Sequence, residues 1–256
     1  MNFFFGIKNS IVDSFLTIPR FQNSGLLKKE YEVFKLEISN QKWKISNIIN
    51  IDHDGDFYKI DSSQIENENI FCLATKKEIR KFKKNNYSKL LNLNNYTDTS
   101  PAFRANLQVS IKGGGFSSYQ SEYPYGMVSN KGNILSPLSS LLNNEADENI
   151  IFFKNIYELP IQEEFSAYFV NLKTKKVLKK ITLITNFLNE VIVEKKFISP
   201  EVFLFTEKYI GIPIHCSMKN KHISLEHTHP PHEYILSEDK FKTVSKLKKE
   251  FSEIIN

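Results

Sequence analysis

Between Arg104 and His229 the chain is built from short apolar-rich runs that recur at roughly the ten-residue spacing of an antiparallel sheet, with no long helical stretch among them. The runs are Arg104–Lys112, Asn149–Ile156, Glu164–Leu172, Val177–Thr185, Glu190–Phe197, Val202–Tyr209, Ile212–Met218 and His222–His229. In the first, Ala105, Leu107, Val109 and Ile111 alternate with Asn106, Gln108, Ser110 and Lys112. A period of two means one buried face and one wet face. The pattern predicts a mainly β protein, an antiparallel β-sandwich or barrel-like domain, and disfavours an α/β fold.

Strands are also expected at Tyr31–Ile38, Lys42–Ile51, Asp56–Asp61 and Asn69–Thr75, with Asp54-Gly55 read as a hairpin turn. Asp52-His53-Asp54-Gly55-Asp56 loosely resembles a calcium loop, but Phe57 stands where that loop wants Gly and no closing Glu follows. Three helices are expected. Ser10–Leu16 is short and stops before Pro19, and Ser237–Ile255 is amphipathic through Phe241, Val244, Leu247, Phe251 and Ile254. The third opens on the capping box Thr75-Lys76-Lys77-Glu78, with Ile79, Phe82, Tyr87, Leu90 and Leu91 as its apolar stripe and lysines opposite. The polar stretch Asn92–Ser100 divides an N-terminal meander with its basic helix, residues 1–98, from a larger part, 99–256; the two also suit one domain.

Composition narrows the function classes. With 41% hydrophobic and 25% charged residues, the chain is that of a folded, soluble protein. The net charge of +5 is almost entirely lysine, since arginine occurs only at Arg20, Arg80 and Arg104. Base-edge and phosphate recognition leans on arginine, so nucleic acid is a disfavoured partner, with the lysine helix as the one surface for it. No apolar run approaches the length of a membrane helix, and the N-terminus lacks a basic leader; a cytoplasmic protein without a membrane partner is expected. Cys72 and Cys216 show no metal-ligand spacing, and Cys216 falls on an apolar strand face.

Five of the six histidines lie between His215 and His232, ending in His227-Thr228-His229-Pro230-Pro231-His232-Glu233. Laying Ile212–Met218 against His222–His229 with Lys219-Asn220 as the turn sets Ser217 opposite His222, His215 opposite Ser224 and Ile214 opposite Leu225. Ile212, Ile214, Cys216, Ile223, Leu225, His227 and His229 then share one face. His215, Ser217, His222, Ser224, Glu226 and Thr228 share the other, with His215 and Glu226 in diagonal reach. His227 and His229 with His232 are candidate ligands for a divalent metal such as Zn, Fe, Mn or Ni, and Glu233 is a candidate acid–base group.

His227, His229 and Glu233, as H-x-H-x-x-x-E, resemble the first metal motif of the cupins, in which such residues ligate a metal inside a double-stranded β barrel. The resemblance spans seven residues and assigns no family. Lys221 stands where the cupin glycine belongs, and no histidine follows Glu233 to complete the ligand set, so Glu122 or His53 would have to supply it.

The second dense stretch, Gly113–Met127, follows three glycines with Tyr119, Gln120, Glu122, Tyr123 and Tyr125. Tyrosine rings stack on sugar rings, and Gln and Glu bind hydroxyls. Tyr119, Gln120, Tyr123 and Tyr125 are therefore candidate substrate-binding residues, and Glu122 a candidate catalytic carboxylate. No nucleophile elbow or phosphate loop is present in the sequence. The reading is a small-molecule site, of saccharide type and metal-dependent in its fullest form, made from the histidine cluster and the tyrosine loop. The alternative is a non-catalytic glycan- or protein-binding module. Whether it is an enzyme, and in what oligomeric state, stays open.

Overall fold

The computed structural model describes residues 2–19, 31–47, 57–90, 105–121, 133–134, 137–208, 213–227 and 240–256. In chain order the first strands are β1 (Asn2–Phe4), β2 (Val12–Pro19), β3 (Tyr31–Ser39), β4 (Lys42–Asn47), β5 (Phe57–Ile60) and β6 (Ile70–Thr75). Helix α1 (Lys76–Lys84) follows, then β7 (Ala105–Ile111), β8 (Phe116–Ser121), β9 (Asn133–Ile134), β10 (Glu148–Lys154) and β11 (Glu164–Asn171). The rest are β12 (Lys176–Ile184), β13 (Leu188–Ile192), β14 (Val202–Thr206), β15 (Ile214–Lys219), β16 (His222–His227) and the helix α2 (Lys240–Ile255).

The protein is mainly β, and the strands form four open antiparallel sheets of four strands each. Their orders are β1-β6-β3-β4, β5-β2-β7-β8, β13-β10-β15-β16 and β12-β11-β14-β9, called the first to fourth sheets below. None closes into a barrel, so the barrel that the cupin-like motif implied is not formed.

The sheets stack through two apolar layers. Phe4, Val33, Phe71 and Leu73 of the first sheet meet Leu16, Ile18, Leu107 and Val109 of the second and Ile150, Phe152, Ile214 and Cys216 of the third. The opposite face of the third sheet, with Ile151, Phe153 and Val191, packs on Phe165, Ala167, Phe169, Leu183 and Leu204 of the fourth. The third sheet is therefore covered on both sides. That is why β10 is buried from Asn149 to Lys154 and does not alternate. Strand β7 keeps its alternation, because Ala105, Leu107 and Val109 face the core while Asn106 is exposed. Residues from both sides of the 92–100 stretch share the first layer, where β7 pairs with β2.

The two helices close the outer faces. The capping box forms as expected, with Glu78 N–H donating to Thr75 Oγ1 and Thr75 N–H to Glu78 Oε2. Phe82 buries against Cys72, Ala74 and Trp43 on the first sheet, and Tyr87 meets its ring edge-on at 5.2 Å. Burying a phenyl ring this fully contributes about 2–3 kcal/mol. On the fourth sheet Phe251 of α2 stacks on Phe205 at 5.2 Å, with Leu247 and Ile254 beside it. The expected cap Ser237 and the side chains of Phe241 and Val244 lie outside what is described.

Three expectations change. The Ser10–Leu16 helix is instead the start of strand β2, with Val12, Leu16 and Ile18 buried. Asn9 Oδ1 accepts from both Ile11 and Val12 N–H, a turn that competes with helix initiation, and β2 then finds partners in β5 and β7. Strands β4 and β5 form no hairpin with each other; β4 pairs with β3 and β5 with β2, in different sheets, and Asp54-Gly55 lies outside the described residues. The Glu190–Phe197 strand ends at Ile192, and Lys195–Phe197 makes a single helical turn that stacks Phe197 on Phe169 at 4.6 Å.

Candidate functional site

The histidine-bearing hairpin is β15–β16. Asn220 and Lys221 turn it with φ of 49° and 65°, the left-handed pair that matches strand twist in a two-residue hairpin. This sets His215 opposite Glu226, Ile214 opposite His227 and Cys216 opposite Leu225. The register differs by two residues from the expected one, because the turn is centred on Asn220-Lys221 and not on Lys219-Asn220. A slip of two leaves every residue on its expected face. Ile214, Cys216 and Leu225 are buried in the first layer, and His215, Ser217, Ser224 and Glu226 share the other face.

His227 is half-buried at the end of β16, and His222 is exposed near the turn. His229, His232 and Glu233 fall outside the described residues, as do Glu122, Tyr123, Tyr125 and His53. Tyr119 and Gln120 sit on β8, opposite Leu107 and Asn106 of β7. Among the described residues no three histidine, cysteine or acidic side chains come together as a metal site.

The glycine run has a structural use. Gly113 takes φ +72°, and Gly115 N–H donates to the Lys221 carbonyl at 2.8 Å. A Cβ on Gly114 would stand 2.7 Å from that same oxygen. These glycines approach the β15–β16 turn closely, and the contact joins the edge of the second sheet to the edge of the third. The strand carrying Tyr119 and Gln120 and the strand carrying His227 both start from this corner.

Two ionisable groups are buried, His215, read from sequence as a partner for Glu226, and Lys154, which the sequence analysis did not single out. His215 is 1% exposed; burial, reinforced by the charge of His227 and opposed by a backbone hydrogen bond with Glu226, holds its pKa down to about 3. Lys154 is fully buried at the inner end of β10, and its ammonium donates to the Asn69 carbonyl. Burial lowers its pKa to about 7, against a weaker opposing pull from Glu68. The sequence signal for Lys154 was a lone cation closing the run Ile150-Ile151-Phe152-Phe153. Both cysteines are buried and their thiols are pushed up to about 12 by desolvation, so neither is a poised nucleophile.

The lysine face of α1 is solvated, with Lys76 paired to Glu32 at 3.3 Å and Lys89, beyond its end, to Glu158 at 2.7 Å. No described helix is long and apolar enough to cross a membrane. No family model, no curated protein and no solved structure matches the chain.

Proposed function

We propose that the protein binds a small polar ligand of the saccharide type along the strands β8 and β16, which run out from the corner where the β7–β8 and β15–β16 hairpins meet. In this reading Tyr119, Gln120, Tyr123 and Tyr125 stack on and hydrogen-bond the ligand, and His227, His229 and His232 hold a divalent metal. Glu122 or Glu233 would move a proton. The contact between Gly115 and Lys221 carries the proposal, since it ties the tyrosine-bearing strand to the histidine-bearing one. A metal there would polarise a ligand oxygen.

A second reading keeps the corner and drops the metal and the chemistry, leaving a glycan- or protein-binding module. It is favoured by Phe116, which follows Gly115 and is 65% exposed, an aromatic face offered to a partner.

Metal content by mass spectrometry on the purified protein, beside a His227→Ala/His229→Ala variant, tests the first reading. About one metal per chain, lost in a folded variant, supports it. A metal-free wild type that keeps its thermal midpoint in the presence of added Zn2+ or Mn2+ overturns the metal-dependent form. A glycan panel read against Phe116→Ala then decides the module.

A further inference from the structure

The third and fourth sheets end side by side in two free edges, β13 and β12, on the side of the third sheet opposite the β16 corner. Among the described residues strand β12 pairs with β11 alone, and Lys176 through Lys180 are all exposed. Between the two edges lies a cleft of about 290 Å³ lined by Asn67, Thr182, Ile184, Phe187, Leu188 and Glu190 among others. Exposed apolar side chains also occur along these strands: Val177 at 39% and Leu178 at 42% at the start of β12, and Ile192 at 60% at the end of β13.

The β12 edge already holds one peptide-like group. Ile184 N–H donates to Asn189 Oδ1 at 2.8 Å, and the Ile184 carbonyl accepts from Asn189 Nδ2 at 2.9 Å. A carboxamide thus makes both bonds that a residue of a neighbouring strand would make. Thr185 N–H turns the other way, donating to the Glu163 carbonyl at 3.0 Å. Backbone groups alternate sides along an antiparallel strand, so those of Thr182 and Lys180 point outward with Ile184. The alternation holds up to the irregularity opposite Phe169/Val170.

Charge selects the occupant. Lys175, Lys176 and Lys180 crowd the edge, with Lys180 5.6 Å over the Tyr168 ring on one face. Lys179 lies on the other face, 3.1 Å from Glu194, and Lys196 is held by the same carboxylate. Glu190 in the cleft has its Oε2 taken by Asn9 Nδ2.

We infer that the β12 edge is a docking strand for an extended acidic polypeptide segment, which adds to the fourth sheet through the outward backbone groups of Lys180 and Thr182. Lysines on an edge also discourage self-pairing of identical edges, and an acidic strand is the partner that escapes this repulsion. The surface is separate from the histidine corner, and its test does not depend on the function proposed above.

The probe is a fluorescein-labelled Glu-Val repeat peptide, read by anisotropy, with a Lys-Val repeat and an N-methylated Glu-Val repeat as controls. Saturable binding of the Glu-Val peptide is expected, at least tenfold weaker for both controls, with slowed amide exchange at Lys180 and Thr182. Thr182→Pro removes one outward N–H and weakens binding tenfold or more; Lys176→Glu/Lys180→Glu does the same at an unchanged thermal midpoint. Should Thr182→Pro fail to fold, the N-methylated peptide on the unaltered protein decides alone. Equal affinity for the N-methylated peptide, tighter binding to an oligothymidylate or to anionic vesicles, or no binding at millimolar peptide overturns the inference.

Discussion

Replacing Lys154 by methionine should stabilise this protein at neutral pH, and by an amount that depends on pH. The lysine stem is buried at the inner end of β10, and its ammonium has one carbonyl, that of Asn69, as hydrogen-bond partner. In the unfolded chain the amine titrates near its ordinary 10.5, and in the folded protein near 7. Between those values the unfolded state holds more protons than the folded state. Stability therefore rises with pH across the window and is lost as pH falls from 10.5 toward 7. At about 1.4 kcal/mol per tenfold change in proton activity, the group costs the fold roughly 4 kcal/mol at pH 7, and about 3 kcal/mol of this is recovered by pH 9.5.

Methionine has a similar length and no charge to desolvate, so Lys154→Met removes that cost and loses only the bond to Asn69, worth about 1 kcal/mol. Urea unfolding of both proteins at pH 7 and at pH 9.5 reads the effect. The variant should be the more stable by a few kcal/mol at pH 7, and the gap should narrow by about 3 kcal/mol at pH 9.5. A gap of equal size at both pH values, or a variant less stable than the wild type at pH 7, refutes the reasoning. It would mean that the amine is effectively solvated or paired.

Two further outcomes follow from the same structure. The imidazole of His215, held near 3 by burial, must stay neutral in the fold while the unfolded chain takes up a proton near 6.5. Lowering pH from 7 to 5 should thus remove about 2 kcal/mol of stability, and His215→Leu should flatten that slope in acid denaturation followed by circular dichroism. Gly114→Ala places a methyl group 2.7 Å from the Lys221 carbonyl. It should lower the thermal midpoint in proportion to about 1–3 kcal/mol.

The β architecture was legible because most strands carry their own signature. Strand β7 alternates, β3 and β6 are bounded by polar or capping residues, and the Thr75 capping box announces α1. The failures share one cause. Ser10–Leu16 has a helix-like start, yet Val12, Leu16 and Ile18 are claimed by pairing with β5 and β7, more than 40 residues away in sequence for β5 and about 95 for β7. Strands β4 and β5, close in sequence, are split between two sheets by a choice that no local residue encodes, while Asp54-Gly55 itself lies outside the described residues. At the histidine hairpin the faces were legible and the register was not, since period two survives a slip of two while turn position does not. The burial of Lys154 and His215 went unread because cover on both faces of the third sheet is a property of stacking, invisible in either strand alone.

The stacking also explains why the two proposed surfaces sit where they do. A sheet covered on both faces can meet solvent or a partner only along its edges, and the third sheet has β16 at one and β13 at the other. The β16 edge is partly closed by the glycine corner, where Gly115 N–H bonds the Lys221 carbonyl and ties β8 to β16. Beside the β13 edge lies the open β12 edge of the fourth sheet, where, among the described residues, the Asn189 carboxamide bonds the backbone of Ile184. An open edge with unpaired amides suits recognition of main chain, where affinity comes from the ladder and selectivity from flanking charge. Gly114→Ala should then disturb the first surface and leave peptide addition at the second unchanged, and Thr182→Pro should do the reverse. A coupled response to either substitution would show that the third sheet transmits strain from one edge to the other.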